Sequence, residues 1–125
     1  MQLIAYYRVS TERQGQSGLG IEAQQAKVQQ MAAERGATVV AEFTEVESGR
    51  KADRPQLAAA LAEARRLGAA VAVAKLDRIA RDAELVLRLS REAAANGMAG
   101  FLFADLPDVD ATTAAGRMVL TVMAS

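Results

Sequence analysis

The chain has 125 residues, 51% of them hydrophobic and 4% aromatic, so it is the size of one ordinary domain with a core built from Ala, Val, Leu, Ile and Met. With no cysteine and no histidine, disulfides, thiolate nucleophiles, Cys/His zinc sites and a Ser-His-Asp triad are excluded. Fifteen Lys and Arg balance fifteen Asp and Glu, which argues against a domain that coats nucleic acid by bulk electrostatics, and any anionic partner must be held locally.

Residues 2–9 read as a first strand, because Leu3, Ile4, Ala5, Tyr6, Tyr7 and Val9 form a nearly continuous apolar run suited to a sheet covered on both faces. Residues 11–20 turn polar and carry Gly15, Gly18 and Gly20, which predicts a mobile loop. A helix is expected over 21–35, with Ile21, Val28 and Met31 on its apolar face and Gly36 at its left-handed cap. Residues 38–43 are β-branched enough for a second strand, and 44–53 read as a second polar loop. Asp53 is the expected N-cap of a helix that tolerates Pro55 in its first turn and runs through Leu57, Ala60, Leu61, Ala64 and Leu67 to Gly68.

Residues 69–74, AAVAVA, suit a short central strand, which feeds the polar turn KLDRIARD. Asp82 is the expected cap of a third helix with the stripe Leu85, Val86, Leu89 and Ala93, stopped by Asn96 and Gly97. Residues 98–103 read as a fourth strand. A final amphipathic segment from Thr112, carrying Met118, Val119, Val122 and Met123, reaches Ser125 with no cap, as if cut inside a helix. No apolar run approaches about 18 residues and no signal-peptide pattern opens the chain, so the expectation is a soluble, cytoplasmic protein without a membrane span.

Strands alternating with helices predict an α/β sandwich with a mainly parallel sheet, in which ligands bind beyond the carboxyl ends of the strands where strand order reverses. The polar segments after the first three strands carry chemistry. They bring Arg8 and Ser10, then Arg50, Lys51 and Arg54, then Lys75, Asp77, Arg78 and Arg81 to one edge. A single serine after a strand is most often a turn or cap residue, and a single arginine a solvated charge. Cations focused around one serine repel one another unless an anion fills the cluster.

The inferred anion is a phosphate, since arginine's planar fork matches its oxygens bidentately. Phosphoryl transfer at a diester needs an in-line oxygen nucleophile and stabilised non-bridging oxygens, for which Ser10 with Arg8, Arg78 and Arg81 suffices. The nearby carboxylates are interleaved with arginines rather than grouped, so neither a two-metal site nor any cofactor is expected. Asp77 is better placed to orient an arginine or carry a proton.

These residues resemble the serine recombinases, the resolvase, invertase and large serine integrase group. YYRVSTERQ resembles their nucleophile motif, with Ser10 as nucleophile, Arg8 beside it and Gln14 following. Ser48-Gly49 followed by Asp53-Arg54-Pro55 is similar to the second motif and puts Arg54 among the phosphate-binding arginines. KLDRIARD resembles the third and most specific motif, assigning Lys75, Asp77, Arg78 and Arg81 to the active site, and Gln24 matches a further polar, supporting position near it.

The resemblance covers essentially the whole chain. It implies a three-layer α/β/α sandwich of sheet order 2-1-3-4-5 with the last strand antiparallel. It also implies attack of the serine on double-stranded DNA to give a 5′-phosphoserine link and a free 3′-hydroxyl, then rotation of half-sites within a synaptic homotetramer assembled from homodimers, and religation. Neither ATP nor a metal is implied. Residues 11–20 are longer than the matching loop of small resolvases, Ala80 stands where glycine is common, and the last residues match only the start of the long helix that carries the dimer interface. The expectation is therefore an isolated catalytic core over residues 1–125 without its DNA-binding domain, inactive alone and a monomer or weak dimer.

Two other readings use the same architecture. A doubly wound signalling or cofactor module would want acidic residues after the first strand or a GxGxxG turn, and Arg8, Ser10 and the spacing of Gly15, Gly18 and Gly20 supply neither. A catalytically idle DNA-bridging protein would have no use for Ser10 and the arginines of all three motifs.

Overall fold

The computed structural model describes residues 1–10, 20–47, 55–74, 97, 99–104, 113 and 118. Among them the elements are β1 (Gln2–Ser10), α1 (Ile21–Arg35), β2 (Thr38–Glu47), α2 (Pro55–Leu67), β3 (Ala70–Val73) and β4 (Gly100–Phe103). The described strands form one parallel sheet of order β2-β1-β3-β4. The fold is α/β, and its order agrees with the first four places of the expected sheet. The fifth, antiparallel strand, the helix after Asp82 and the terminal helix lie outside the described residues. No helix among the described residues is long and apolar enough to cross a membrane.

Strand alternation sorts the core into two clusters. Ile4, Tyr6, Val71, Val73, Phe101 and Phe103 pack with Leu57, Ala60 and Ala64 of α2. On the other face Leu3, Ala5, Tyr7, Ala70, Ala72 and Leu102 pack with Val28, Met31 and Ala32 of α1. Five of the ten buried residues of this second cluster are alanines. α1 ends at Gly36 with φ +65°, a left-handed conformation that lets Ala37 N–H donate to Ala32 O at 2.8 Å and Gly36 N–H to Ala33 O at 3.3 Å.

The second strand is longer than the sequence suggests, running to Glu47 instead of ending at residue 43. Its extra residues pair with the end of β1, Thr44 with Tyr7, Glu45 with Arg8, Val46 with Val9 and Glu47 with Ser10. Partnership with β1 therefore overrides the polar character of TEVE. The register also slips between Leu3 and Ile4, whose partners are Val39 and Ala41, leaving Val40 as the extra residue of a bulge. Such a step reverses the facing of everything beyond it. Val39 packs on the α1 side, while Ala41 and Phe43 pack on the α2 side.

On the α1 side, the Tyr7 hydroxyl donates to Glu42 Oε2 at 2.6 Å. Burial, then this hydrogen bond and the charge of Glu42, push the Tyr7 phenol well above its ordinary range. The fold thus favours the neutral phenol, and unfolded tyrosine releases its proton first, near pH 10. Tyr7 therefore contributes stability that is complete below about pH 10 and lost as pH rises further. Denaturant titrations of wild type and Tyr7→Phe from pH 8 to 11.5 should show stability falling more steeply in the wild type above pH 10. Parallel curves would show that Tyr7 does not carry this dependence.

Candidate active site

Because β2, β1 and β3 are parallel neighbours, their carboxyl ends share one edge of the sheet. The segments 11–19, 48–54 and 75–81 leave from that edge by chain connectivity. β1 closes at Ser10, whose backbone partner across the sheet is Glu47, the last residue of β2. The chain returns from β2 past β1 to reach β3, so strand order reverses between β1 and β3. This is the position at which open α/β sheets bind ligands.

β1 extends further than its neighbour on that side. The pairing with β3 reaches Tyr6 opposite Val73, two residues short of Arg8. There a side chain replaces the strand. Gln24, fully buried in the first turns of α1, accepts from Arg8 N–H through Oε1 at 3.0 Å and donates from Nε2 to Arg8 C=O at 2.9 Å. A primary amide carries the same donor and acceptor pair as a peptide group, so Gln24 continues the ladder of β1 past the end of β3. Gln24 N–H also makes the first i to i−4 bond of α1, donating to the O of the cap residue Gly20 at 3.1 Å.

On the β2 side of β1, Glu45 is the second buried polar residue among those described. Its Oε1 accepts from Gln56 N–H at 3.0 Å and Leu57 N–H at 3.2 Å, and the Tyr6 hydroxyl lies at 3.4 Å. The first-turn amides of α2 therefore go to a carboxylate on β2, where the sequence suggested a local cap at Asp53. Asp53 itself lies outside the described residues.

Of the residues read from the sequence as catalytic or supporting, Arg8 and Gln24 are described in full and Ser10 by its backbone. The structure joins Arg8 and Gln24 directly, and it gives Gln24 a bonded role toward the strand that ends at Ser10. Gln14, Arg54, Lys75, Asp77, Arg78 and Arg81 lie outside the described residues. Glu45 is not legible as a site residue from the sequence, because it stands within a polar stretch that looks like a loop. The available signal was the alternation Phe43, Glu45 on one side of a strand, masked by the bulge at Val40.

The family described as "Resolvase, N terminal domain" matches residues 3–125. The N-terminal catalytic domain of TP901-1 integrase is similar with a TM-score of 0.81 and 27% identity, over 98% of this chain and 91% of that one. Two further structures share the fold at 21% identity, each over 98% of this chain. A resolvase family site-specific recombinase from Streptococcus pneumoniae does so at TM-score 0.70 over 85% of its own chain. The C-terminal catalytic domain of ISC1926 TnpA, an IS607-like serine recombinase, does so at TM-score 0.63 over 78% of its own. None of the curated proteins compared with this chain matches it. The chain belongs to the resolvase family of serine recombinases, through the domain that carries the family's N-terminal part.

The bonds from Gln24 can be tested apart from any activity. Gln24→Leu keeps an apolar side chain of similar size but removes both partners of the Arg8 peptide groups. Leaving such groups unsatisfied costs about 1–3 kcal/mol each, so the variant should lose about 2–6 kcal/mol of unfolding free energy in urea. A loss below about 0.5 kcal/mol, the ordinary range of surface substitutions, would show that these bonds do not hold the end of β1.

Proposed function

We propose that this chain is the catalytic domain of a site-specific DNA recombinase in which Ser10 is the covalent nucleophile. The observation that carries the reading is the placement of Ser10 at the end of β1. That end lies on the edge from which the segments bearing Arg54, Lys75, Asp77, Arg78 and Arg81 depart, beside the switch point of a resolvase-family sheet. The 27% identity to the catalytic domain of TP901-1 integrase supports it.

In this reading the Ser10 oxygen attacks a phosphodiester of double-stranded DNA. The bond from serine oxygen to phosphorus forms, the bond from phosphorus to the 3′-oxygen breaks, and the serine proton is released as the 3′-oxygen gains one. The product is a 5′-phosphoserine link and a free 3′-hydroxyl. One phosphate ester replaces another, so religation is the same step reversed and needs no ATP.

Arg8, Arg54, Arg78 and Arg81 hold the non-bridging oxygens, where planar donors fixed before the reaction stabilise the charge that builds up. Lys75 adds positive charge, Gln14 supports the phosphate, and Asp77 orients an arginine or carries a proton. Gln24 acts through the backbone of Arg8. The recombinase works on DNA as homodimers that pair into a synaptic tetramer.

In the full-length protein, Ser10→Ala should abolish the protein–DNA adduct trapped on a suicide substrate while leaving site binding intact. A surviving adduct would sink the assignment. Arg78→Lys and Arg81→Lys should each slow cleavage by about 100-fold or more, the scale for losing one preorganised oxyanion donor. Near-normal cleavage by both would mean that charge without bidentate geometry suffices. EDTA should leave the wild-type rate unchanged.

A further inference from the structure

We propose that Glu45 is a positioning residue for Arg54, acting as a remote cap that fixes the start of α2 and thereby leaves the residue before that helix available to the phosphate. The inference rests on the assignment of Arg54 to phosphate binding above. α2 begins at Pro55. The residue that precedes a helix ordinarily uses its side-chain oxygen to accept the amides of the second and third helical residues. Here that residue is Arg54, whose guanidinium only donates and cannot cap. The second and third helical amides, those of Gln56 and Leu57, instead meet one oxygen of Glu45.

Three features show that this arrangement is built. Glu45 is only 6% exposed, so its carboxylate is committed to these donors and is not a solvated charge that happens to lie near a helix. The Tyr6 hydroxyl, from β1, adds a third approach to the same oxygen. The bulge at Val40 reverses the facing of β2, and it is this step that puts Glu45 on the side of the sheet that α2 covers. Without the extra residue Glu45 would face α1, and the cap would be lost.

The consequence is geometric. The segment 48–54 is tied at one end to Glu47, opposite Ser10, and at the other to Pro55. Glu45 stands two residues before the first anchor and bonds directly to the helix that starts at the second. One carboxylate thus sets the separation of both anchors, and with it the start of the helix that Arg54 immediately precedes in the chain. A carboxylate at a helix N-terminus also interacts favourably with the helix dipole, which strengthens the clasp.

A double-mutant cycle in the full-length recombinase tests this, with cleavage of a suicide substrate as the readout and circular dichroism confirming the fold. Glu45→Ala should lower the cleavage rate by about tenfold or more, since ångström-scale misplacement of a positioning group costs up to about 100-fold. In an Arg54→Ala background the same substitution should change the rate by less than about twofold, because residues acting through one another are not additive. If Glu45→Ala does not fold, Glu45→Gln, which keeps the volume and one acceptor, carries the same cycle. An equal rate loss in both backgrounds would overturn the proposal, leaving Glu45 a general stabiliser. Normal cleavage by Arg54→Ala alone would overturn it differently, by removing the role of Arg54 on which it rests.

Discussion

The two hydrogen bonds between the Gln24 amide and the Arg8 peptide groups are the constraint on which the candidate site depends. A parallel strand that outruns its neighbour exposes backbone groups that either fray into water or find a substitute partner. β1 outruns β3 by enough to present Arg8 and Ser10 at the edge, and Gln24 supplies the substitute. The overhang is therefore stable without a longer β3. β3 itself ends at Val73, and the segment that carries Lys75, Asp77, Arg78 and Arg81 follows it in the chain.

Glu45 complements Gln24 from the other side. One is an amide from α1, on one face of the sheet; the other is a carboxylate on β2 that reaches α2, on the opposite face. Between them they tie both helices to the ends of β1 and β2, the strands that close at Ser10 and at Glu47. Both side chains are buried polar groups, and both are spent on backbone donors or acceptors, which is the condition under which burying them is tolerable. Polar residues of this kind do not strengthen a core so much as specify one arrangement of it.

Much of this fold is legible in the chain before any coordinates. The apolar run of β1, the helix from Ile21 to Arg35 closed by Gly36, and the Ala-Val run of β3 each announce themselves by periodicity and by residues that stop them. The end of β2 does not, because Thr44 to Glu47 is held in the strand by pairing with Tyr7 to Ser10. No local propensity encodes that partnership. The bulge at Val40 is equally silent, since an extra valine in a β-branched run changes no composition and only reverses the facing of the strand residues after it. For the site, motif resemblance picks out Arg8, Ser10 and Gln24. How Gln24 serves the site depends on where β3 stops, which is a fact of three dimensions.

The candidate site requires the end of β1 to be a fixed platform, and amide hydrogen exchange at Arg8 measures this directly. If Gln24 continues the ladder as the geometry requires, the Arg8 amide should exchange as slowly as that of Tyr6, which sits within the paired part of the sheet, and both should open only with global unfolding. Fast exchange at Arg8 beside a protected Tyr6 would mean that the strand frays before it reaches Ser10, and the platform would not exist.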